Sequence, residues 1–260
     1  MNSALKESVL RVLPRVQTPA QYLGGELNSV VKDHRQVRGK MCLAFPDTYG
    51  MGSSHHGLQV LYSLMNADPQ WACERAFTPW LDFEQVLRQE NLPLYGLESF
   101  TPLRQYDLLG FSLQYEVCYS NVLTMLDLGG IPLHAKDRSL SDPLVIAGGP
   151  GAQNPELLAP FIDLFVIGDG EESLPWIMDK WMSLREKGGK SRADMIAELA
   201  GSTTWAYAPM FYEPEYHADG TLAAMNRTRS DVPREIMACQ ITKDFDDIPL
   251  PSHPIVSFVQ

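Results

Sequence analysis

Apolar residues in this chain fall into short runs, and between the runs they recur at helical spacing. Residues 41–45 (MCLAF) form a compact apolar run, the pattern of a strand buried on both faces. The run stops at Pro46-Asp47-Thr48. Leu58, Leu61, Tyr62 and Met65 then recur at i, i+3, i+4 and i+7, which predicts a helix with one buried face. Residues 73–77 predict a second strand, and residues 81–89, past Pro79, a second helix. Residues 107–113 (DLLGFSL) make a third strand. Tyr119, Val122, Leu123 and Leu126 form the next helical stripe, closed by Gly129-Gly130 and Pro132. Residues 143–147 and 164–167 are further strands, running into Gly148-Gly149-Pro150 and Gly168-Asp169-Gly170. The helix over 171–187 puts Leu174, Ile177, Met178, Trp181 and Leu184 on one side. Its acidic first turn (Glu171, Glu172) and basic last turn (Arg185, Lys187) both complement the helix dipole.

Strands alternating with helices at this pitch predict an α/β fold, a doubly wound and mainly parallel sheet of flavodoxin-like type covered on both faces. Strand-end loops then collect on one edge of the sheet, and ligands bind outside the carboxyl ends of the strands. Those loops are residues 46–52, 114–119, 148–154 and 168–172. Residues 1–40 read as an irregular N-terminal segment, because Pro14, Pro19 and Gly24-Gly25 interrupt it. The α/β domain covers 41–200. Residues 201–230 read as a β-hairpin, with 210–217 and 221–225 flanking an Asp219-Gly220 turn. Residues 231–260, with Pro233, Pro249, Pro251 and Pro254, read as an extended tail that ends on a β-prone stretch over 254–260.

The chain has 260 residues and a formal net charge of −11, which repels phosphate backbones, so nucleic acid is not an expected partner. Cys42, Cys73, Cys118 and Cys239 are too far apart for a zinc knuckle or a locally encoded iron–sulfur cluster, and they read as reduced, mostly packed thiols. The first residues lack the uninterrupted apolar core of a signal peptide, and no stretch approaches the ~18 apolar residues of a membrane helix. A cytoplasmic protein without membrane contact is the expectation.

The candidate chemistry lies in the strand-end loops. Gly148, Gly149 and Pro150, with Gly168, read either as the floor of a ligand site or as the tight turns that every such sheet needs. Neither turn is G-x-G-x-x-G, and the carboxylates of Asp169, Glu171 and Glu172 occupy the helix start where a phosphate would sit. In the first loop Asp47, Tyr49, Gly50 and His56 are the binding candidates. His55 falls on the apolar stripe and reads as a packed, hydrogen-bonded histidine. Ser53 or Ser54 is the expected helix cap. Glu116, Cys118 and Tyr119 are the remaining polar candidates at this edge. The absence of a G-x-S-x-G elbow gives a hydrolase no support.

Taken together, LPRVQTPAQYLGGELNSVVKD, AFPDTYGMGSSHHGLQVLY, FSLQYEVCYSNVLTMLDLGGIPL, PLVIAGGPGAQNPE and DLFVIGDGEESL resemble the N-terminal region of a radical SAM protein family. Members of that family carry a cobalamin-binding-like domain before a radical SAM barrel. The resemblance runs from residue 13 to about residue 254. It implies a ligand-binding or scaffolding module that is not catalytic on its own, with Asp47, Tyr49, Gly50, His56, Gly148, Gly149, Pro150, Gly168 and Glu171 in binding roles. No catalytic and no metal-ligating residue is assigned. Base-off cobalamin domains use D-x-H-x-x-G, whereas Asp47 and His55 here are eight apart and position 58 is Leu. A cobalamin would therefore need another lower ligand or none. The family's C-x-x-x-C-x-x-C cluster motif does not occur in the sequence. The resemblance accordingly places the [4Fe–4S] cluster and S-adenosylmethionine in a barrel outside this chain, as in a split gene or a frameshifted product. The expected partner is that barrel, in cis or as a separate chain. The alternative is a stand-alone binding or regulatory module that docks a separate subunit.

Overall fold

The alternating pattern becomes a layered sheet in a computed structural model that describes residues 2–242 and residue 255. In chain order the elements are α1 (Ser3–Val12), β1 (Gly39–Phe45), a single-turn α2 (Tyr49–Gly52), α3 (His56–Ala67), β2 (Trp71–Phe77), α4 (Leu81–Glu90), β3 (Leu108–Ser112) and α5 (Tyr119–Leu128). They continue with β4 (Leu144–Gly148), β5 (Leu164–Val166), α6 (Gly170–Lys187), α7 (Arg192–Gly201), β6 (Ala206–Tyr207), β7 (Tyr212–Tyr216) and β8 (Leu222–Arg227). The sheet has six strands in the order β2-β1-β3-β4-β5-β6. All its pairings are parallel except that of β6, which joins β5 antiparallel. This is the flavodoxin-like strand order with an added antiparallel edge, and its topological switch point is the crevice between β1 and β3. β7 and β8 form a separate antiparallel hairpin.

Helix α3 packs against α6, and α4 against α5. The α3–α6 layer covers the sheet face onto which Leu43, Gly110, Ile146 and Leu164 project from one register row. Gly170, the first residue of α6, lets the two helices meet, since a Cβ there would stand 3.1 Å from Leu61. Both faces of the sheet are thus buried, which explains why its strands read as continuous apolar runs.

Two buried ionic knots fix the sheet. Asp163, at the entry to β5, pairs with Arg192 at 2.7 Å and Arg138 at 3.1 Å, and it accepts the Val145 N–H at 2.8 Å. On β2, buried Glu74 accepts from Tyr106 at 2.6 Å and from the Ser99 hydroxyl at 2.9 Å, and it meets His34 at 2.6 Å. Burial pushes the Glu74 carboxyl up, but the bonds from His34, Tyr106 and Ser99 outweigh it and leave the group below its ordinary value. A depressed carboxyl adds stability above its unfolded pKa of about 4.3, and that stability is lost as pH falls through the lower folded value. Glu74→Gln is therefore expected to remove part of the acid dependence of unfolding below about pH 4. Urea melts of both proteins at stepped pH check this.

The structure corrects two expectations and adds two elements. Residues 1–40 are not irregular throughout, because residues 3–12 form α1. Asn2 caps α1 by accepting the Leu5 N–H at 3.1 Å, and Leu5, Val9 and Val12 bury one face of that helix. The cap of α3 is His55, not Ser53 or Ser54. The segment after Lys187 holds α7, capped by Ser191, and the edge strand β6, neither of which the pattern singled out. The proline-rich part of the tail lies outside the described residues except for Ile255, which is buried. Among the described residues no helix is long and apolar enough to cross a membrane.

Candidate functional site

Strand residues two apart share a face, so the α3–α6 face receives Leu43 from β1, Gly110 and Ser112 from β3, Ile146 and Gly148 from β4, and Val166 from β5. The small residues fall in the middle strands. The result is a cavity of about 270 Å³ over the carboxyl halves of β1, β3, β4 and β5, beside the switch point and between the starts of α3 and α6. Its wall includes Leu58 and Leu61 from α3 and Leu174 from α6, so its base is apolar.

The glycines separate by what a side chain would meet. At Gly110 a Cβ would make only ordinary contacts, 3.6 Å from Leu43 and Ile146, and at Gly148 the nearest atom is 3.8 Å away. Those two leave usable space over the sheet. Gly149 is a turn glycine with φ +95°, and its Cβ would stand 2.7 Å from the Leu113 carbonyl oxygen. Gly168 serves a different purpose. Its φ is +105°, and its Cβ would be 2.2 Å from the Cys239 carbonyl oxygen. Cys239 donates to the Ile167 carbonyl at 2.7 Å and accepts the Asp169 N–H at 2.9 Å, so residues 237–242 form a strap across the end of β5. Asp169 takes the Ile241 N–H at 3.0 Å, and Glu172 takes the Thr242 N–H at 2.9 Å. Burial, together with the carboxylates of Asp169, Glu172 and Glu171, pushes the Cys239 thiol up. Gly168→Ala is expected to release the strap, read as faster hydrogen exchange at Cys239 and Ile241 with the β3 and β4 amides unchanged.

Of the residues singled out in the sequence, Gly148, Gly149, Pro150, Gly168 and Glu171 line the cavity. Asp47, Tyr49, Gly50 and His56 do not. Asp47 laces the loops together: its carbonyl accepts the Thr78 N–H at 2.9 Å, and its carboxylate accepts the Tyr115 hydroxyl. That bond, with some burial, pushes the Tyr115 phenol up to about 12. Tyr49 donates to Glu26 at 3.0 Å, and burial with the Glu26 charge pushes its phenol up to about 12. His56 is exposed, whereas His55 lines the cavity, stacks obliquely on Phe45 and accepts the Leu58 N–H at 3.2 Å through Nδ1. Sequence reasoning missed Gly110, Ser112, Gln114 and the cavity role of His55. The signal was present in β3, where Gly110 and Ser112 alternate with Leu109 and Phe111.

Exposed apolar side chains crown the same sheet edge. Trp80 and Leu81 follow β2, Met51 follows β1, and Val117, 85% exposed, follows β3. The loops bearing them are adjacent and tied through Asp47. Cys42, Cys73 and Cys118 are buried away from this edge or under it, and all four cysteines are free.

The six-strand, mostly parallel sheet with helices on both faces makes this an α/β module of flavodoxin-like strand order, with a cavity beside its switch point. Residues 57–209, more than half of the chain, match the family described as radical SAM proteins, N-terminal, and the chain belongs to that family. No curated protein matches the chain.

Proposed function

We propose that this chain is the ligand-holding and scaffolding module of a radical SAM protein. The observation that carries the reading is the cavity floored by Gly110 and Gly148 at the switch point, where sheets of this order take their ligands. Its volume lies near the lower end of the roughly 300–1,000 Å³ common for ligand pockets. One ring system or side group fits, while a whole corrin would have to lie above the sheet edge. A corrinoid is thus compatible through part of its periphery, held by Gly110, Gly148, Ser112 and Leu174. When bound it would supply cobalt chemistry.

The apolar crown supports the scaffolding half of the reading. Trp80, Leu81, Met51 and Val117 form a water-exposed apolar rim on the ligand edge, as expected of a docking surface. A radical SAM barrel, in cis or as a separate chain, is the proposed occupant, and the cluster and S-adenosylmethionine would belong to it. The test is titration of the purified chain with hydroxocobalamin. Saturable one-to-one binding supports the corrinoid reading, and no spectral or calorimetric change removes it.

A further inference from the structure

We propose that His55 and Glu171 recognise the ligand as a hydrogen-bond donor and an acceptor on opposite sides of the cavity, and that His55 is not a metal ligand. The inference rests on the cavity being the ligand site and names the chemistry it selects. A backbone N–H can only donate, so the 3.2 Å contact from Leu58 N obliges His55 Nδ1 to be the bare, accepting nitrogen. In the neutral ring the proton then sits on Nε2. No partner for Nε2 is found among the described residues, and the ring lines the cavity. A metal-binding histidine needs the reverse arrangement, in which the ligating nitrogen is bare and the other donates to an acceptor. Coordination through Nε2 would therefore break the cap of α3.

Across the cavity, Glu171 lines the wall, and no hydrogen-bond partner for its carboxylate is found among the described residues. Asp169 also borders the cavity, with its carboxylate engaged by the strap. Two carboxylates at this wall repel a phosphate or carboxylate ligand. The complement of an N–H donor on the α3 side and a carboxylate acceptor on the α6 side is a neutral group that carries both an acceptor and a donor. An amide or lactam edge has that pattern. The apolar base under it accepts the attached ring or chain.

The closing experiment has separate arms for the site and for its wiring. The first is nitrogen NMR of histidine-labelled protein, where His55 is expected as the Nε2–H tautomer. An Nδ1–H tautomer would overturn the proposal with or without a ligand. The second is hydroxocobalamin affinity of His55→Asn and Glu171→Gln. Asparagine keeps a good helix cap, but its amide NH2 falls near the ring's Cδ2 position and stops short of where Nε2–H donates, so its thermal midpoint should hold while affinity falls roughly 3- to 10-fold, the worth of one hydrogen bond. Glu171→Gln, which keeps an acceptor but loses the charge, should reduce discrimination against inorganic phosphate, and phosphate should not compete with hydroxocobalamin in the parent protein. Unchanged affinity in His55→Asn, or phosphate competition in the parent, overturns the inference while leaving the site in place. The third arm reduces the complex and compares cobalt EPR spectra of unlabelled and ¹⁵N-labelled protein. Identical splitting is expected, and a splitting that follows the protein's isotope overturns the statement about metal ligation. If hydroxocobalamin does not bind at all, the corrinoid reading falls, and the tautomer arm still decides how His55 is wired.

Discussion

Gly110→Val is expected to lower hydroxocobalamin affinity at least about 100-fold, or about 2.8 kcal/mol, while the fold keeps or gains stability. The opposite signs follow from the position of Gly110. It sits mid-strand between Leu43 and Ile146, and a Cβ there would lie at ordinary van der Waals distance, 3.6 Å, from both. Glycine inside a strand costs roughly 0.5–1 kcal/mol relative to alanine, and valine suits strands better still. The added methyls, however, project into the part of the face that Gly110 and Gly148 leave open. A ligand seated there loses its place. Gly110→Ala should fall between, with higher stability and partly reduced affinity. Thermal melts and titrations on the same samples check both signs, and a valine variant that binds as tightly as the parent would place the ligand elsewhere.

Asp163→Ala carries the largest expected effect on stability, about 3–5 kcal/mol. Asp163 is fully buried and is the shared partner of Arg138 and Arg192, two guanidinium groups that are themselves buried. Removing the carboxylate strands both charges in a low-dielectric interior and leaves the Val145 N–H without its acceptor. Because β5 leads directly into Gly168 and the strap, the cavity wall should loosen along with the strand. For a chain of this size the expected fall in thermal midpoint is roughly 10 °C. A shift of only a degree or so would mean that the two arginines find other partners, and the anchoring role of the knot would be wrong.

How much of this was legible before the structure depends on which physical signal each feature left. Apolar runs and helical stripes reported β1, β3, β4, β5, α3 and α6 because burial on both sides of a parallel sheet writes itself into consecutive residues. Helix α1 leaves a short signal, the Asn2 cap and the Leu5, Val9, Val12 spacing, and the breakers Pro14 and Pro19 directly after it obscure that signal. Gly148 and Gly168 were both visible as glycines, yet nothing local distinguishes a glycine that leaves ligand space from one pressed against Cys239, 71 residues later in the chain. The same limit applied to the histidines. His55 on an apolar stripe and His56 beside it differ only in where the preceding loop turns, and that turn is set by contacts with Glu26, Thr78 and Tyr115 from distant segments. Besides the glycine turns after β4 and β5, the small residues of β3 were a further local clue to the cavity, readable by taking alternate positions of the strand.

Hydrogen exchange of the purified chain with and without saturating hydroxocobalamin addresses the site most directly. If the ligand occupies the switch-point cavity, amides over residues 55–61, 110–114, 148–150 and 168–174 should gain protection together, since those segments form its wall and floor. The hairpin over residues 212–227 and the α4–α5 face should stay unchanged. Protection confined to the hairpin or to the α4–α5 face, or no protection under conditions where the corrinoid is bound, would contradict a ligand site at the β1–β3 crevice.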